Sequence, residues 1–464
     1  MREIKLRLTK DQQTLLRAHL LPGDGLEAVA VALCGRRAGD VVHALTVFDI
    51  LPIPYEDCSV RSPDRVRWST RRLVPLLERA AKYDLAILKI HSHPGGYRAF
   101  SSVDDESDDD LFNSVYGWTD SKYPNVSAVM LPDGEIFGRA ILRDGSKQPL
   151  DAITVVGHDI EIFRREAVSA VPGFARRHAQ MFGTGTIDRM RTMSATIVGA
   201  SGTGSPVIEQ LARLGIGRLV IVDPDVVEEK NLNRIVNSSR EDSYLERPKV
   251  EVMARAIAAM GFGTSLKIVR SDLATPEAVE MVAQTDVIFG CVDSVEGRAL
   301  MNRIGAFYTI PYFDLGVKLV ADGKGGINEA VGAVHYLRPD GDTLLDRKVY
   351  TMNQLMAEGM KRTDPAAYRD QVARGYLRGV PEDRPAVISI NMQVASMAVN
   401  EFLARLHPYR LDDNSSSAVL RVNFVGSEIV RAPEADASGM YGKKVGRGDT
   451  KPLLDMPELS RIVP

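Results

Sequence analysis

The sequence predicts an α/β protein of two domains: a mixed α+β domain at residues 1–150 and a domain with a mostly parallel sheet at 176–464, joined by a linker at 151–175. Length is the first reason, because 464 residues suffice for two or three domains of about 150 residues. The second reason is the mixture of short β-rich runs and polar loops before residue 150. The third is the strand–helix–strand alternation that begins at Ala195, which is typical of a parallel sheet covered by helices.

Composition excludes several classes of protein. The 58 basic and 61 acidic side chains leave a formal charge of −3, which argues against nucleic acid or an anionic membrane as the main partner. The sequence has no run of about 18 apolar residues, so no transmembrane helix is predicted, and its start lacks the apolar segment of a secretory signal. Cys34, Cys58 and Cys291 are too few and too widely spaced for a disulfide framework or a CxxC zinc site. We expect a cytoplasmic enzyme.

Apolar runs predict the strands of the first domain. The segment 26–33 (LEAVAVAL) predicts one strand, and 85–90 (LAILKI) predicts a second that leads directly into His91. Apolar residues at 128–131 and 136–141 flank a Pro-Asp-Gly turn. This pattern predicts a hairpin near the end of the domain.

The linker and the second domain show helical and strand patterns in turn. Helical segments are predicted at 160–166 and 172–182. The first helix of the second domain starts near Pro206 and stops at Gly215, residues that favour helix starts and ends respectively. The other elements predicted there are strands at 195–198, 218–222, 266–269, 286–291 and 420–424, and a helix at 250–260.

The first candidate site is a pair of histidines at the end of the second predicted strand. His91 and His93 are two residues apart, so the period of two in a strand places both imidazoles on one face. Pro94 ends the strand, and Asp104 is available as a third ligand. Two imidazoles and one carboxylate suit Zn²⁺ with a water in the fourth position, and zinc lowers the pKa of such a water to about 7. The alternative is a pair of surface histidines without a metal.

The pattern His91-x-His93-Pro followed by Ser101-x-x-Asp104 resembles the JAMM motif of JAB/MPN metallo-isopeptidases. The sequence FSSVD around Ser101 is especially close to the deubiquitinating members of that family. The resemblance implies that His91, His93 and Asp104 hold zinc. It also implies an α+β fold of the JAB/MPN type for the first domain.

The same resemblance implies a glutamate upstream that moves a proton from the bound water to the leaving amine. Glu27 is the best match for this glutamate, and Glu56 is the alternative. Ser101 would donate a hydrogen bond to the developing oxyanion. The remainder of the acidic run at 104–110 is predicted to be the solvated first turn of a helix, where carboxylates suit the helix dipole.

The second candidate site is a glycine-rich loop between a predicted strand and a predicted helix. Gly199, Gly202 and Gly204 would let the backbone approach a phosphate, and the helix N-terminus supplies N–H donors. The spacing does not match GxGxxG, because Val207 stands three positions after Gly204. A tight strand–helix turn without a ligand is the alternative at this point.

Polar residues after the following strands favour the nucleotide. An acid after the second strand suits ribose hydroxyls, cationic side chains neutralise triphosphate oxygens, and an aspartate after a further strand can hold Mg²⁺. The residues in these positions are Asp223, Asp225, Asn231, Arg234, Lys249, Asp293, Arg298 and Asn302.

The stretch from about Arg177 to Glu401 resembles the Rossmann-like adenylation fold of ThiF/MoeB and ubiquitin-activating enzymes. The text IVGASGTGSPVIEQLARLGIGRLVIVDPDVVEEKNLNR carries this resemblance. It implies that ATP adenylates the C-terminal carboxylate of a ubiquitin-like protein. By this resemblance the ribose is bound by Asp223, the phosphates by Asn231, Arg234 and Lys249, and Mg²⁺ by Asp293.

The resemblance also implies a homodimer, in which Arg177 reaches the partner's ATP site; a solvated helix face is the alternative for the basic cluster around it.

Two family features are missing. The chain has no paired CxxC motifs, and residues 316–385 contain no cysteine to carry the modifier as a thioester. Cys291 is expected to pack in the core. The enzyme either passes the acyl-adenylate to a conjugating-enzyme-like partner or forms an ester through Thr351.

The preferred interpretation is a bifunctional enzyme whose two domains recognise the tail of one ubiquitin-like protein, since fusion raises the local concentration of both sites. The pairing resembles bacterial operons that encode JAB peptidases beside ThiF-like activators. Conjugation and sulfur transfer both remain open as the role of the modifier. An NAD-dependent oxidoreductase with an appended metal domain is an alternative that does not explain Arg234, Lys249 and Asp293. A binding scaffold with inactive sites is the other alternative.

Overall fold

The computed structural model describes residues 2–164, 171–374 and 385–459. The chain divides into two units. The first contains Met1–Glu166, Ala306–Thr309 and Gly442–Pro464, and the second contains Ala167–Gly305 and Ile310–Tyr441. Within the described ranges, no helix combines the length and the apolarity that crossing a membrane requires.

The first unit is a sheet with helices. Its elements are β1 (Glu3–Thr9), α1 (Lys10–Leu20), β2 (Val29–Ala38), β3 (Val42–Pro52), β4 (Cys58–Ser62), β5 (Arg65–Trp68), α2 (Val74–Tyr83), β6 (Ala86–Ser92), α3 (Ser102–Thr119), β7 (Asn125–Met130), β8 (Ile136–Ile141), β9 (Lys147–Pro149), β10 (Ala152–Val156) and β11 (Ile160–Phe163). Nine strands form one sheet in the order β11-β10-β1-β3-β2-β6-β7-β8-β9, and β4 pairs with β5 separately. The predicted hairpin is confirmed as β7 and β8, which pair antiparallel.

Both faces of this sheet are buried, because its central strand alternates between two apolar clusters. Ala30 of β2 and Leu88 of β6 belong to the cluster that contains α1. Val31 of β2 and Ile87 of β6 belong to the cluster that contains α2 and α3. Since side chains alternate across a strand, the odd-numbered residues of β2 and β6 face α2 and α3.

The remaining elements belong mainly to the second unit. They are α4 (Arg176–Phe182), α5 (Thr184–Thr192), β12 (Ser194–Val198), α6 (Gly204–Arg213), β13 (Arg218–Val222), α7 (Arg240–Tyr244), α8 (Lys249–Met260), β14 (Ser265–Val269), α9 (Pro276–Val282), β15 (Val287–Gly290), α10 (Val295–Tyr308), β16 (Tyr312–Ala321), β17 (Ile327–Leu337), α11 (Met352–Thr363), α12 (Pro365–Ala373), α13 (Ile388–Leu406), β18 (Val419–Asn423) and β19 (Glu428–Ala432). The sheet has the order β14-β13-β12-β15-β16-β17-β18-β19.

The first five strands of this sheet are parallel and the last three are antiparallel, as the mostly parallel prediction requires. Val198 stands opposite both Val222 and Gly290, so β12, β13 and β15 end at the same edge. The helix after β12 is α6, which begins at Gly204 and is followed by Gly215 at φ +82°, the predicted stop.

Two predictions about the elements are wrong. The segment predicted as a helix at 160–166 is strand β11 over Ile160–Phe163, paired antiparallel with β10; residues 165 and 166 lie outside the described residues. Four residues are too few for periodicity to separate a helix from a strand. The end of the chain holds two strands, β18 and β19, where one was predicted.

The C-terminal residues of the predicted second domain pack with the first unit. Gly446 accepts hydrogen bonds on its carbonyl oxygen from Gly35 N–H at 3.1 Å and from the Thr46 hydroxyl at 2.8 Å. A Cβ on Gly446 would lie 2.0 Å from the carbonyl oxygen of Val47, so only glycine fits there. The boundaries 1–150, 151–175 and 176–464 stay predictions.

Candidate functional site

The two histidines of the predicted metal motif lie at the end of β6, on the face that packs against α2 and α3. His91 is opposite Val29 of β2, inside the sheet. The Nε2 atoms of His91 and His93 are 3.1 Å apart, and both side chains are buried. His93 Nδ1 lies 2.7 Å from the carbonyl oxygen of Tyr97 and so carries the proton, which leaves the lone pair on Nε2. His91 Nδ1 is buried without a hydrogen-bond partner in the described parts of the chain.

Helix α3 brings the carboxylate of Asp104 to these histidines. Ser101 is the N-cap: its hydroxyl accepts from Asp104 N–H at 3.2 Å and donates to Asp104 Oδ2 at 2.8 Å. Asp104 Oδ1 lies 2.9 Å from His91 Nε2, and Oδ2 lies 3.5 Å from His93 Nε2. Burial opposes ionisation of Asp104, but the hydrogen bonds from the two histidines hold its pKa well below the ordinary value. The Ser101 hydroxyl is engaged by Asp104, and its oxyanion role stays a prediction.

Glu27 reaches the same cluster from the loop before β2. Its N–H donates to the carbonyl of Ser62, and Arg61 Nε donates to its carbonyl, so β4 anchors the loop. Its Oε1 lies 4.0 Å from His93 Nε2. Burial raises the pKa of Glu27 to about 7. Glu56 is exposed and lies outside the cluster, which favours Glu27 among the two predicted candidates.

The donor set fits zinc. Neighbouring ligand atoms of a tetrahedral zinc with bonds of about 2.0 Å lie about 3.3 Å apart. The distances among the His91, His93 and Asp104 atoms are 3.1, 2.9 and 3.5 Å. Atoms of Glu27, His91 and His93 also lie within 4.8 Å of one another, but the 4.0 Å from Glu27 to His93 better suits contact through a water.

The acidic run is not a solvated helix turn throughout, which corrects the prediction. Asp108, one turn after Asp104, is fully buried. Its Oδ1 accepts from Lys89 Nζ at 2.7 Å, and its Oδ2 accepts from Arg139 Nη2 at 2.7 Å and Nε at 3.1 Å. Asp109 is exposed, as predicted for the run. Residues at i and i+4 share a helix face, and the face of α3 that carries Asp104 packs on the sheet.

A cavity of about 990 Å³ lies at the edge of the second sheet where the parallel strands end. The segments after β12, β13, β14 and β15 all contribute to its wall, because parallel strands end at one edge. Two of the residues predicted to favour the nucleotide lie outside the wall: Gly204, at the start of α6, and Asn302, which is buried and accepts from Leu344 N–H at 3.0 Å. The other nine line it: Gly199, Gly202, Asp223, Asp225, Asn231, Arg234, Lys249, Asp293 and Arg298.

Packing within the chain explains why the loop is made of glycines. Gly199 has φ +93°, and a Cβ on it would lie 2.6 Å from the carbonyl oxygen of Cys291. A Cβ on Gly202 would lie 2.4 Å from Asn391 Nδ2, and one on Gly204 would lie 1.8 Å from the carbonyl oxygen of Gly199. Gly199 and Gly204, which face backbone atoms, are therefore required with or without a ligand, whereas at Gly202 the neighbour is a side chain. The argument for a nucleotide rests on the charged residues around the loop.

Asp223 and Lys249 are positioned by backbone and carboxylate contacts. Asp223 accepts from Ala200 N–H at 2.7 Å and from Asp225 N–H at 2.9 Å, which ties the end of β13 to the glycine loop. Burial raises its pKa. Lys249 Nζ donates to Asp225 Oδ2 at 2.7 Å and lies 3.9 Å from Asp223 Oδ1. A buried ammonium is thus held at the cavity wall by an exposed carboxylate.

The other polar residues complete one wall of the cavity. Asn231 is buried and accepts from Glu228 N–H at 3.2 Å. Arg234 is partly exposed, and its Nη1 donates to the carbonyl of Lys230 at 2.9 Å. Asp293 is exposed after β15. This wall presents cations and amide groups beside carboxylates, which suits a magnesium triphosphate.

Several residues of the wall were not predicted. Ser271 and Asp272 follow β14, so the rule that parallel strands end at one edge could have found them. Asn391, at the start of α13, and Leu315 and Val317 of β16 also line the cavity. No local pattern marks these three residues, because they reach the cavity only through the packing of distant elements.

Three further predicted residues have defined environments. Arg177 is exposed on α4 and does not line the cavity of its own chain, so its role in a partner's site stays a prediction. Burial raises the pKa of the Cys291 thiol to about 12, which disfavours the reactive thiolate. Thr351 is the N-cap of α11, where its hydroxyl accepts from Gln354 N–H at 3.3 Å. This capping contact is a structural role, and ester formation through Thr351 stays a prediction.

Comparison with known families identifies two families in the chain. The ThiF family matches residues 175–438, which is more than half of the chain. The family described as prokaryotic homologs of the JAB domain matches residues 9–134. The chain therefore belongs to the ThiF family and carries a JAB domain at its N-terminus, as the two motif patterns predict.

Individual relatives cover less of the molecule. The SAMP-activating enzyme E1 of Haloferax volcanii is 33% identical over 167 residues, 36% of this chain and 57% of that protein. The ubiquitin-like modifier-activating enzyme 5 of Drosophila willistoni is 27% identical over 168 residues, 34% of this chain and 38% of that protein. The chain thus spans well under two thirds of either relative. A crystal structure of E. coli MccB with MccA-N7isoASN is 17% identical, with a TM-score of 0.45 over 58% of this chain and 74% of that chain, and no functional conclusion follows from it.

Proposed function

We propose that the second unit uses ATP and Mg²⁺ to adenylate the C-terminal carboxylate of a ubiquitin-like protein. The observation that carries this proposal is the meeting of nine residues predicted to favour the nucleotide at one cavity. Membership of the ThiF family supports it, and so do the names of the two relatives, both of which are activating enzymes. In the reaction a carboxylate oxygen of the modifier bonds to the α-phosphorus of ATP, and the bond to pyrophosphate breaks.

The residues of the wall have distinct tasks in this step. Asp223 accepts hydrogen bonds from the ribose with the lone pairs that Ala200 and Asp225 leave available. Lys249 exchanges its contact with Asp225 for a phosphate oxygen, a stronger acceptor of charge-assisted hydrogen bonds. Asp293 holds Mg²⁺, which neutralises the phosphate charge.

The homodimer and a conjugating-enzyme-like partner belong to the same proposal. Arg177 is exposed and does not line the cavity of its own chain, which is consistent with a role in the site of a second copy. The 316–385 segment has no cysteine, and the half-buried Cys291 has a raised thiol pKa, which disfavours its thiolate. The acyl-adenylate would therefore pass to a partner that carries the nucleophile.

We further propose that the JAB domain cleaves the bond that joins the modifier to a precursor or target. His91, His93 and Asp104 would hold Zn²⁺, which acidifies a bound water and so supplies a nucleophile at neutral pH. Glu27 lies 4.0 Å from His93, within reach of such a water, and would carry its proton to the leaving amine. Ser101 keeps Asp104 oriented through two hydrogen bonds.

The test of adenylation is ATP–pyrophosphate exchange by the full chain with candidate ubiquitin-like proteins. Exchange that depends on one candidate supports the proposal and identifies the modifier. Lys249→Ala should lower exchange about 100-fold, since one lost contact to developing charge costs about 10²–10³ in rate. Arg213→Ala is the matched control, because Arg213 is exposed and pairs with Glu209 on its own helix. Absence of exchange with every candidate, together with bound NAD, would favour the oxidoreductase instead.

The test of the metal site is the zinc content of the purified protein. One zinc per chain is expected, and His91→Ala should remove it, because a structural or catalytic zinc needs at least three protein ligands. His19→Ala is the control, since His19 contacts Tyr55 and lies outside the cluster. A wild-type protein without zinc after reconstitution would favour the inactive scaffold for this domain.

A further inference from the structure

Arg298 lines the nucleotide cavity from the first turn of α10 and is held there by strand β16. Its Nε forms an ion pair with Asp314 Oδ1 at 3.2 Å, although the described residues give this Nε no hydrogen bond, and its Nη2 donates to the carbonyl of Leu315 at 3.3 Å. Asp314 Oδ1 also accepts from the Tyr312 hydroxyl at 2.7 Å. Two groups of one strand thus orient the guanidinium, and a third orients the carboxylate that contacts it.

Two glycines leave the space that this arrangement needs. A Cβ on Gly290 would lie 2.7 Å from the Tyr312 hydroxyl, so Gly290 makes room for the phenol ring. A Cβ on Gly316 would lie 3.3 Å from Arg298 Nη2, so Gly316 makes room for the guanidinium. Neither glycine has a positive φ, so neither is explained by backbone conformation. Gly290 thus gives room to Tyr312 and also to Met301, whose Cε would lie 2.7 Å from a Cβ there, and Gly316 gives room to Arg298.

The carboxylate behind Arg298 is costly to bury. Asp314 is 1% exposed, and its Oδ2 has no hydrogen-bond partner in the described ranges. A buried ionised group is retained only where its partners offset the loss of hydration. A buried ion pair that only fills space in the core could be replaced by apolar residues of similar volume. The pair of Arg298 and Asp314 differs, because Arg298 also lines a cavity with many polar residues.

We propose that Asp314 and Tyr312 are positioning residues that hold Arg298 so that its guanidinium binds an anionic oxygen of the reacting groups. That oxygen belongs to the α-phosphate of ATP or to the carboxylate of the modifier. A side chain that is already oriented loses little conformational freedom on binding and keeps its donors aligned. The inference rests on the proposed adenylation for its ligand, but the holding of Arg298 can be measured without any reaction.

The kinetic arm compares Asp314→Asn and Tyr312→Phe with Arg298→Ala in pyrophosphate exchange. Asp314→Asn should lower kcat/KM about 10–100-fold, because a small displacement of a binding group costs that much. Tyr312→Phe, which keeps the charge and the ring, should lower it less. A raised KM for ATP alone assigns the phosphate as the ligand, and a raised KM for the modifier alone assigns the carboxylate. Glu401→Gln is the control: it removes an equally buried carboxylate, paired with Arg405, from outside the cavity wall.

Two results separate a positioning role from a structural one. In the Arg298→Ala background, Asp314→Asn should change kcat/KM less than about 2-fold, since it acts through a side chain that is gone. The second result is independent of activity and comes from NMR of protein with ¹⁵N-labelled arginine. The Nε–H signal of Arg298 is assigned by its loss in Arg298→Ala. This signal should move or broaden in Asp314→Asn. An unchanged signal, or an equal loss of exchange in the Arg298→Ala background, would overturn the proposal. If the wild-type chain shows no exchange, adenylation fails, and the Nε–H signal still decides whether Asp314 holds Arg298.

Discussion

The buried carboxylate of Asp108 should be among the most stabilising single charges of the JAB domain. It accepts three hydrogen bonds from Lys89 and Arg139, all three side chains being buried. Removing one partner of a buried ion pair costs about 3–5 kcal/mol. Arg139 keeps a contact with Asp105, and Lys89 keeps one with the Ser107 hydroxyl, so we expect the lower end, about 3 kcal/mol, for Asp108→Asn.

The assay is urea unfolding followed by tryptophan fluorescence. Both tryptophans of the chain, Trp68 and Trp118, lie in the first unit, so the signal reports on that unit alone. With an m-value of about 2 kcal/mol/M, the midpoint of Asp108→Asn should fall by about 1.5 M. Asp109→Asn is the matched control: Asp109 is exposed and pairs with Lys147 at 2.8 Å, so its midpoint should fall by less than about 0.5 M. Equal shifts for the two variants would refute the distinction between a buried and a solvated carboxylate on α3.

Two other predictions concern the second unit. Gly204→Ala should abolish nucleotide binding, measured by titration with ATP, because the new Cβ would lie 1.8 Å from the carbonyl oxygen of Gly199. Gly359→Ala is the control, since the space around its Cβ in α11 is open. This control should bind ATP normally and gain about 0.5–1 kcal/mol of stability. Normal ATP binding by Gly204→Ala would show that the loop is not packed as described. Hydrogen bonds from Arg255 lower the pKa of Asp242 to about 2. The ionised carboxylate therefore stabilises the fold above about pH 4, and up to about 2 kcal/mol of unfolding free energy is lost as the pH falls from 4 to 2. The difference in unfolding midpoint between wild type and Asp242→Asn should shrink over that range, and a constant difference would contradict the coupling.

Much of both candidate sites was predictable because short-range geometry carries it. A strand that ends in His-x-His must place both imidazoles on one face, and the Nε2 atoms of His91 and His93 are 3.1 Å apart. Parallel strands that end at one edge must bring the residues after them together, which is why Gly199, Asp223 and Asp293 share a cavity. These relations hold whatever packs around them.

Predictions failed where the environment, rather than the chain, decided the outcome. A run of six acidic residues between 104 and 110 indicated a solvated surface, but the sheet beneath α3 supplies Lys89 and Arg139 to one of them. The run itself does not reveal that partner, because Arg139 is 31 residues away in sequence. The segment at 160–163 is a strand because β10 offers it an open edge, a condition that no local pattern of four residues records.

The sequence by itself determined the two domain families, the candidate metal motif and the order of the candidate nucleotide-binding residues, because each depends on residue types at fixed short spacings. Only the tertiary structure decided that Asp104 is closer than Glu27 to the histidines, that Asn391 lines the cavity, and that Asp314 lies 3.2 Å from Arg298. These facts depend on contacts between residues far apart in the chain. The strength of each contact is set by burial and by the distance between two side chains, and both quantities exist only once the elements have packed.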